Sequence, residues 1–257
     1  MKFVITKTIF NIDIELQLVM IEHRFLINSR ISKKIESNYY RYFPNSTYDL
    51  QEIIKDHFNN DIYDLNDIDV SKITDMSYLF NELNVEFPDH ICKMNISEWN
   101  VSNVINMDSM FQGCQFFNGD VSNWNTESLT SCESLFESCT LFNCDLSNWN
   151  VSMLSFMSDM FRNCFEFNSD LSNWDVSNVE DMSSAFFNCT HFEGKGLSKW
   201  NTKSLETISN IFYCCKNFKE DLERWDTTNL HYMIDAFSKC ISLNNVPTWY
   251  NNSIKRL

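Results

Sequence analysis

The chain has 257 residues, 44% hydrophobic and 15% aromatic, enough for a buried core and too much for wholesale disorder. Its four glycines, at 113, 119, 194 and 196, cannot spell a phosphate-cradling loop. The net charge of −15 sits almost wholly after residue 65, and such a surface repels phosphate backbones and anionic lipid heads, which argues against nucleic-acid or membrane-surface binding.

Residues 1–45 contain FVITKTIFNIDIEL and LVMIEHRFLI, which read as strands outside any repeat. Charged residues interrupt both, so neither reads as a signal peptide or a membrane span, and no lipid-anchoring cysteine comes after them. A helix is predicted from Tyr48 to Phe58, capped by Ser46 or Thr47, with Leu50, Ile53, Ile54 and Phe58 at helical spacing. It can lie over the first unit of a repeat that begins at residue 66. Residues 1–65 therefore read as an N-terminal region with a capping helix, and 66–257 as a repeat domain closed by a C-terminal cap.

The repeat is written in tryptophan. Trp99, Trp124, Trp149, Trp174, Trp200, Trp225 and Trp249 recur every 24–26 residues. A phenylalanine follows each of the first six after 12 residues (Phe111, Phe136, Phe161, Phe186, Phe212, Phe237), and a cysteine follows after 15 (Cys114, Cys139, Cys164, Cys189, Cys215, Cys240). A degenerate earlier copy, DLNDIDVSKITDMSYLF, places Ile68 and Phe80 in the first two slots. A side chain needed once per unit is a structural one, and this periodicity marks a repeat architecture.

Within DLSNWDVSNVEDMSSAFFNC (170–189), Leu171, Trp174 and Val176 read as one face of a short strand. Val179, Met182, Ala185, Phe186 and Cys189 crowd one helical face, with Ser177 or Asn178 as N-cap, so a short helix is predicted. Strand, short helix and return loop make an α/β, right-handed, leucine-rich-repeat-like solenoid of about 25 residues per unit, with an N-terminal cap. Pro247 breaks the pattern near its other end.

Repeated polar positions are the candidates for chemistry. The cysteine ladder lacks the close pairs of a structural zinc site and reads as small buried residues, free thiols of a reducing compartment. The acid ladder Asp120, Asp145, Asp170 and Asp221 could collect calcium, but reads as turn residues bonding their own backbone, the more so because Lys195 interrupts it. The five histidines share no repeat position, and no carboxylate pair stands out from its copies. The chain therefore reads as a non-enzyme without cofactor or metal.

LSNWDVSNVEDMSSAFFNC resembles the repeat of BspA-like surface proteins, a leucine-rich-repeat-like group whose pattern is F-N-x-D-[LI]-S-x-W-D-[VT]-S-x-V-x-x-M-x-x-M-F. Residues 66–250 match throughout, and RYFPNSTYDLQEIIKDHFNN resembles the lead-in of such proteins. The resemblance implies adhesion at a bacterial surface. The absent lipobox, signal peptide and wall anchor instead lead to a cytoplasmic, monomeric chain, in the host cell or virion if it is viral.

Two functions stand side by side. One is a non-enzymatic scaffold that binds a protein partner through the polar face of the strands. The other is an exported or virion-associated adhesin for host protein or glycan. The candidate binding residues are the row after each tryptophan, Asn100, Asn125, Asn150, Asp175, Asn201 and Asp226, and a basic spot at Lys199, Lys203 and Arg224. Local balancing by Glu206, Glu220, Asp221 and Glu223 is the plainer account of that spot.

Overall fold

The computed structural model describes residues 40–254, with side chains to Asn251. The two strands expected in residues 1–45 lie outside the described residues. Tyr42–Leu257 is one compact unit. Helix α1 (Thr47–Asn59) stands where the helical spacing places it. The Ser46 hydroxyl accepts the Asp49 N–H at 3.1 Å as N-cap, and Leu50, Ile54 and Phe58 are buried. Two more helices follow, α2 (Leu79–Glu86) and α3 (Pro88–Ile91), and one closes the described chain, α4 (Thr248–Ile254).

Between α3 and α4 the expected strand and helix do not form. Residues 170–189 contain neither, and no strand occurs among the described residues. The leucine-rich-repeat-like solenoid of strand–helix units is therefore corrected to a stack of coils built from turns. Equivalent residues of successive coils meet in isolated parallel bridges, from Asp75 through Asn106, Ser131, Phe156, Asp181 and Thr207 to Tyr232.

The reason lies in how peptide groups are shared out. In the coil around Phe161, the N–H groups of Met157, Asp159, Phe161 and Asn163 donate forward to the carbonyls of Asp181, Ser183, Ala185 and Phe187 at 2.8–3.1 Å. The intervening N–H groups of Met160, Arg162 and Cys164 donate within the coil, to Met157, Asp159 and Phe161. A helix would keep every such bond within the coil, and a strand at the centre of a sheet would point alternate groups to opposite neighbours. Here alternate groups all point the same way.

Two left-handed residues per coil produce that geometry, at Trp+10 (Ser109, Ser134, Asp159, Ser184, Asn210, Asp235) and Trp+14 (Gly113, Ser138, Asn163, Asn188, Cys214, Lys239). Most are Ser, Asn or Asp, and the short polar side chains of Asn and Asp are the ones that best tolerate positive φ. The supposed strand is likewise two turns: Trp174 N–H donates to Leu171, and Val179 N–H to Val176.

Three ladders fill the core. In five of the six neighbouring pairs the tryptophan rings lie 6.2–6.4 Å apart and within 13° of parallel. The phenylalanines at Trp+12 stack at 5.1–5.8 Å, and each of five packs at 3.9–4.4 Å on a second phenylalanine of its own coil, Phe117, Phe142, Phe167, Phe192 or Phe218. Every tryptophan also donates its indole N–H to a carbonyl of the preceding coil, as Trp149 does to Val121 and Trp174 to Leu146, at 2.9–3.1 Å throughout. A phenylalanine would fill the space and leave that carbonyl one donor short.

At its N-terminal end the stack would expose carbonyls. Helix α1 supplies donors there: the Thr47 hydroxyl to Asp75 O at 2.5 Å and the Gln51 amide to Leu79 O at 3.5 Å. The one 26-residue unit absorbs its extra residue at Gly196, with φ at +94° and a 3-10 turn over Leu197–Lys199.

A side chain at Gly196 would meet the Ser172 backbone at 2.5 Å, whereas one at Gly113 meets nothing within 4 Å. Gly196→Ala is expected to cost about 2 kcal/mol or more, from positive φ and backbone overlap together. Gly113→Asn, which copies Asn163 and Asn188, should stay within about 0.5 kcal/mol of the parent. Denaturant midpoints of the two variants test this; equal losses would count against the assigned backbone.

Candidate functional site

The cysteine ladder is built into the core. Each thiol donates to the carbonyl of the Trp+12 phenylalanine one coil earlier, or of its counterpart Phe80, as Cys164 does to Phe136 and Cys189 to Phe161, at 2.8–3.6 Å. Burial pushes these thiols up, Cys114 and Cys240 to about 12, so they stay protonated and poorly nucleophilic. All ten cysteines are free. No group of three or more His, Cys, Asp or Glu side chains among the described residues could hold a metal ion. No helix among them is long and apolar enough to cross a membrane.

The acid ladder consists of turns. Asp120, Asp145, Asp170 and Asp221 accept the N–H of Ser122, Ser147, Ser172 and Glu223 at 2.9–3.0 Å. The Lys195 ammonium, 2.6 Å from Asp170, together with Ser172, holds that carboxyl down at about 2.

The row after each tryptophan is exposed in all six coils, opposite the buried indoles. Its chemistry is partly used: Asn100, Asn125, Asn150, Asp175, Asn201 and Asp226 accept the N–H two residues on, at 3.0–3.3 Å. Each Oδ1 thereby shapes its own coil, and the remaining amide or carboxylate atom is what faces solvent.

Lys199, Lys203 and Arg224 are also exposed, and none of the three has an ion-pair partner among the described residues. Three of their four expected balancers are engaged elsewhere. Glu220 accepts from the Ser198 hydroxyl, the Asp221 carboxylate from the Glu223 N–H, and Glu223 from Thr248. Other lysines do pair, Lys195 with Asp170 and Lys219 with Glu193. Lys203 helps hold Asp175 low, after the hydrogen bonds from Ser177. Lys199 and Arg224 occupy the same position, one before tryptophan, in consecutive coils. A cleft of about 290 Å³ is lined by Lys219, Glu220, Asp221, Glu223 and Asn244, and none of the three cations lines it.

A further row, at Trp+13, is absent from the candidates drawn from sequence. Gln112 donates to Glu137 at 2.6 Å, and Arg162 lies 3.8 Å from Glu137. The Arg162 guanidinium covers the Phe187 ring at 4.3 Å, Phe187 stacks on Tyr213 at 4.8 Å, and Lys239 caps Tyr213 at 4.6 Å. The signal was the column itself, with a glutamate and an arginine one repeat apart. The ring faces are taken up by one another and by the cations, so the row packs the surface.

A family model, described as Mycoplasma protein of unknown function, DUF285, matches residues 48–174 and 180–257. No curated protein matches. A solved structure titled "Crystal structure of TLR13-ssRNA13 complex" shares 9% identity over 77% of this chain, with a TM-score of 0.16. The match spans 48%, about half, of that chain's length, and a likeness so slight supports nothing about fold or ligand.

The thiols give a test with a definite sign. Below pH 9 folded and unfolded states both keep these protons. Between 9 and about 12 the unfolded chain loses them first, so stability falls as pH rises through that window. Stability curves at stepped pH should show the fall, and replacing Cys164 and Cys189 by Ala should make it shallower. Thiol reagent at pH 8 should reach exposed Cys92 readily and the ladder only on unfolding.

Proposed function

Because the chain belongs to the family of Mycoplasma proteins of unknown function, DUF285, and leaves three cations unpaired on a strongly acidic surface, we propose that it is a non-enzymatic repeat scaffold that binds a protein partner. The repeat architecture, which presents the same polar row once per coil, supports the same reading. The binding face is the polar side next to the tryptophan row, and its strongest point is Lys199, Lys203 and Arg224. That these side chains lack ion-pair partners, although Glu206, Glu220, Asp221, Glu223 and Asp226 lie close to them in sequence, is the observation that carries it. Cations without a direct ion pair keep charge available to an acidic segment of another protein, and such association is steered by charge and weakened by salt. Ten free cysteines suit a reducing compartment, so the partner is sought in the cytoplasm.

The test is a parallel purification from native cells with the parent chain and a Lys199→Glu, Lys203→Glu, Arg224→Glu variant. A partner that co-elutes with the parent at low salt should bind the variant at least about tenfold more weakly, and the parent itself less as salt rises. Equal affinity and salt dependence in a variant with an unchanged circular dichroism spectrum would reject this face.

A further inference from the structure

The asparagine columns of the stack divide by use. Those after tryptophan close turns. Asn118, Asn143 and Asn168 accept the N–H groups of Asn143, Asn168 and Glu193 in the next coil at 2.8–3.0 Å. Asn103, Asn178 and Asn229 donate to the carbonyls of Ser71, Ser152 and Lys203 at 2.7–2.8 Å. The column before tryptophan has no such task. Asn123, Asn148 and Asn173 are exposed, and their side chains have no hydrogen-bond partner among the described residues. Followed along the stack, with the Ile68 coil included, this column reads Asp67, Glu98, Asn123, Asn148, Asn173, Lys199, Arg224. It runs from acid through three neutral amides to base. Glu98, Lys199 and Arg224 are exposed, whereas Asp67 is half-buried with its carboxylate 3.3 Å from His57 Nε2. Turned end for end, the row is complementary to itself.

From this order we infer that the partner of the face is a second copy of the chain, laid antiparallel across it about a two-fold axis at Asn148. The inference rests on this face being the binding face, and it names what binds there. The chain is then a dimer and not the monomer expected from sequence. A two-fold contact is reciprocal, so Glu98 of each copy faces Lys199 of the other, and Asp67 faces Arg224. Asn123 faces Asn173, and Asn148 meets its own copy; an amide both donates and accepts, so each of these contacts can be bonded. Seven coils about 4.8 Å apart give a row about 30 Å long, the width of a patch of about 800 Å² on each partner. A copy turned about an axis along the stack would instead set Lys199 against Lys199 and Glu98 against Glu98. The net charge of −15 on each copy opposes association, but salt screens it beyond about 8 Å at physiological strength and leaves the contacting pairs to decide.

Sedimentation of the full chain at about 0.15 M salt is the readout. The parent should show a concentration-dependent dimer with a dissociation constant of micromolar order. Glu98→Lys alone and Lys199→Glu alone, both at exposed positions, should each weaken self-association at least about tenfold with an unchanged circular dichroism spectrum. Mixed in equal amounts, the two variants should associate with each other about as tightly as the parent does with itself, because every Glu98–Lys199 contact then joins opposite charges again. A parent that stays monomeric, a single reversal that dimerises as well as the parent, or a mixture no better than its components would overturn the antiparallel pair. The purification from native cells separates this failure from that of the reading beneath it. If the parent is monomeric and the Lys199, Lys203, Arg224 reversal still releases a different protein, the face stands and the second copy is wrong; if the reversal releases nothing, both are wrong.

Discussion

Each coil can satisfy only about half of its peptide groups by itself, and the rest of the structure answers that constraint. Successive i→i+3 turns use alternate N–H groups, and most of the others find their acceptors in a neighbouring coil. A buried backbone donor without an acceptor costs about 1–3 kcal/mol, so a single coil cannot stand alone. Stacking removes the deficit at every level except the two ends. Helix α1 meets it at one end by offering Thr47 and Gln51 as donors.

The side-chain ladders follow from the same register. Once equivalent residues sit one above another, an aromatic ring repeated every 25 residues must stack on its copy, and the phenylalanines do so at 5.1–5.8 Å. The indole N–H and the cysteine S–H then add cross-coil ties to carbonyls that already accept one turn bond. Leu171 O takes both the Trp174 N–H and the Trp200 indole, and Phe136 O both the Cys139 N–H and the Cys164 thiol. Carbonyls have two lone pairs, so this double use involves no loss. It also explains why a tryptophan and a cysteine recur where phenylalanine and alanine would pack.

What could be read from the residues was the spacing. Tryptophan, phenylalanine and cysteine slots gave the unit, its burial and the exposed asparagine row, and Ser46 with Leu50, Ile54 and Phe58 gave α1. The secondary structure between them was misread. Val179, Met182, Ala185, Phe186 and Cys189 repeat at three and four residues because a chain of three-residue turns has nearly the period of a helix. The distinguishing residues are Ser184 and Asn188 with positive φ, and neither type announces that conformation by itself. Exposure of the asparagine row was legible, but its use in turns was not, since an asparagine beside a serine looks alike as ligand or as turn. That Lys199, Lys203 and Arg224 lack ion pairs was not legible, because Glu220 and Glu223 turn instead to Ser198 and Thr248.

The indole column has an optical consequence. Five neighbouring pairs among the seven indoles hold near-parallel rings with centres 6.2–6.4 Å apart. Identical chromophores at such a distance share excitation faster than they emit. Light absorbed by one indole therefore passes to its neighbours, and the near-ultraviolet spectrum carries the coupling of neighbours as well as the sum of seven residues. Slipping a single coil separates neighbouring rings, so the molecule holds within its own core a spectroscopic record of whether its layers are in register.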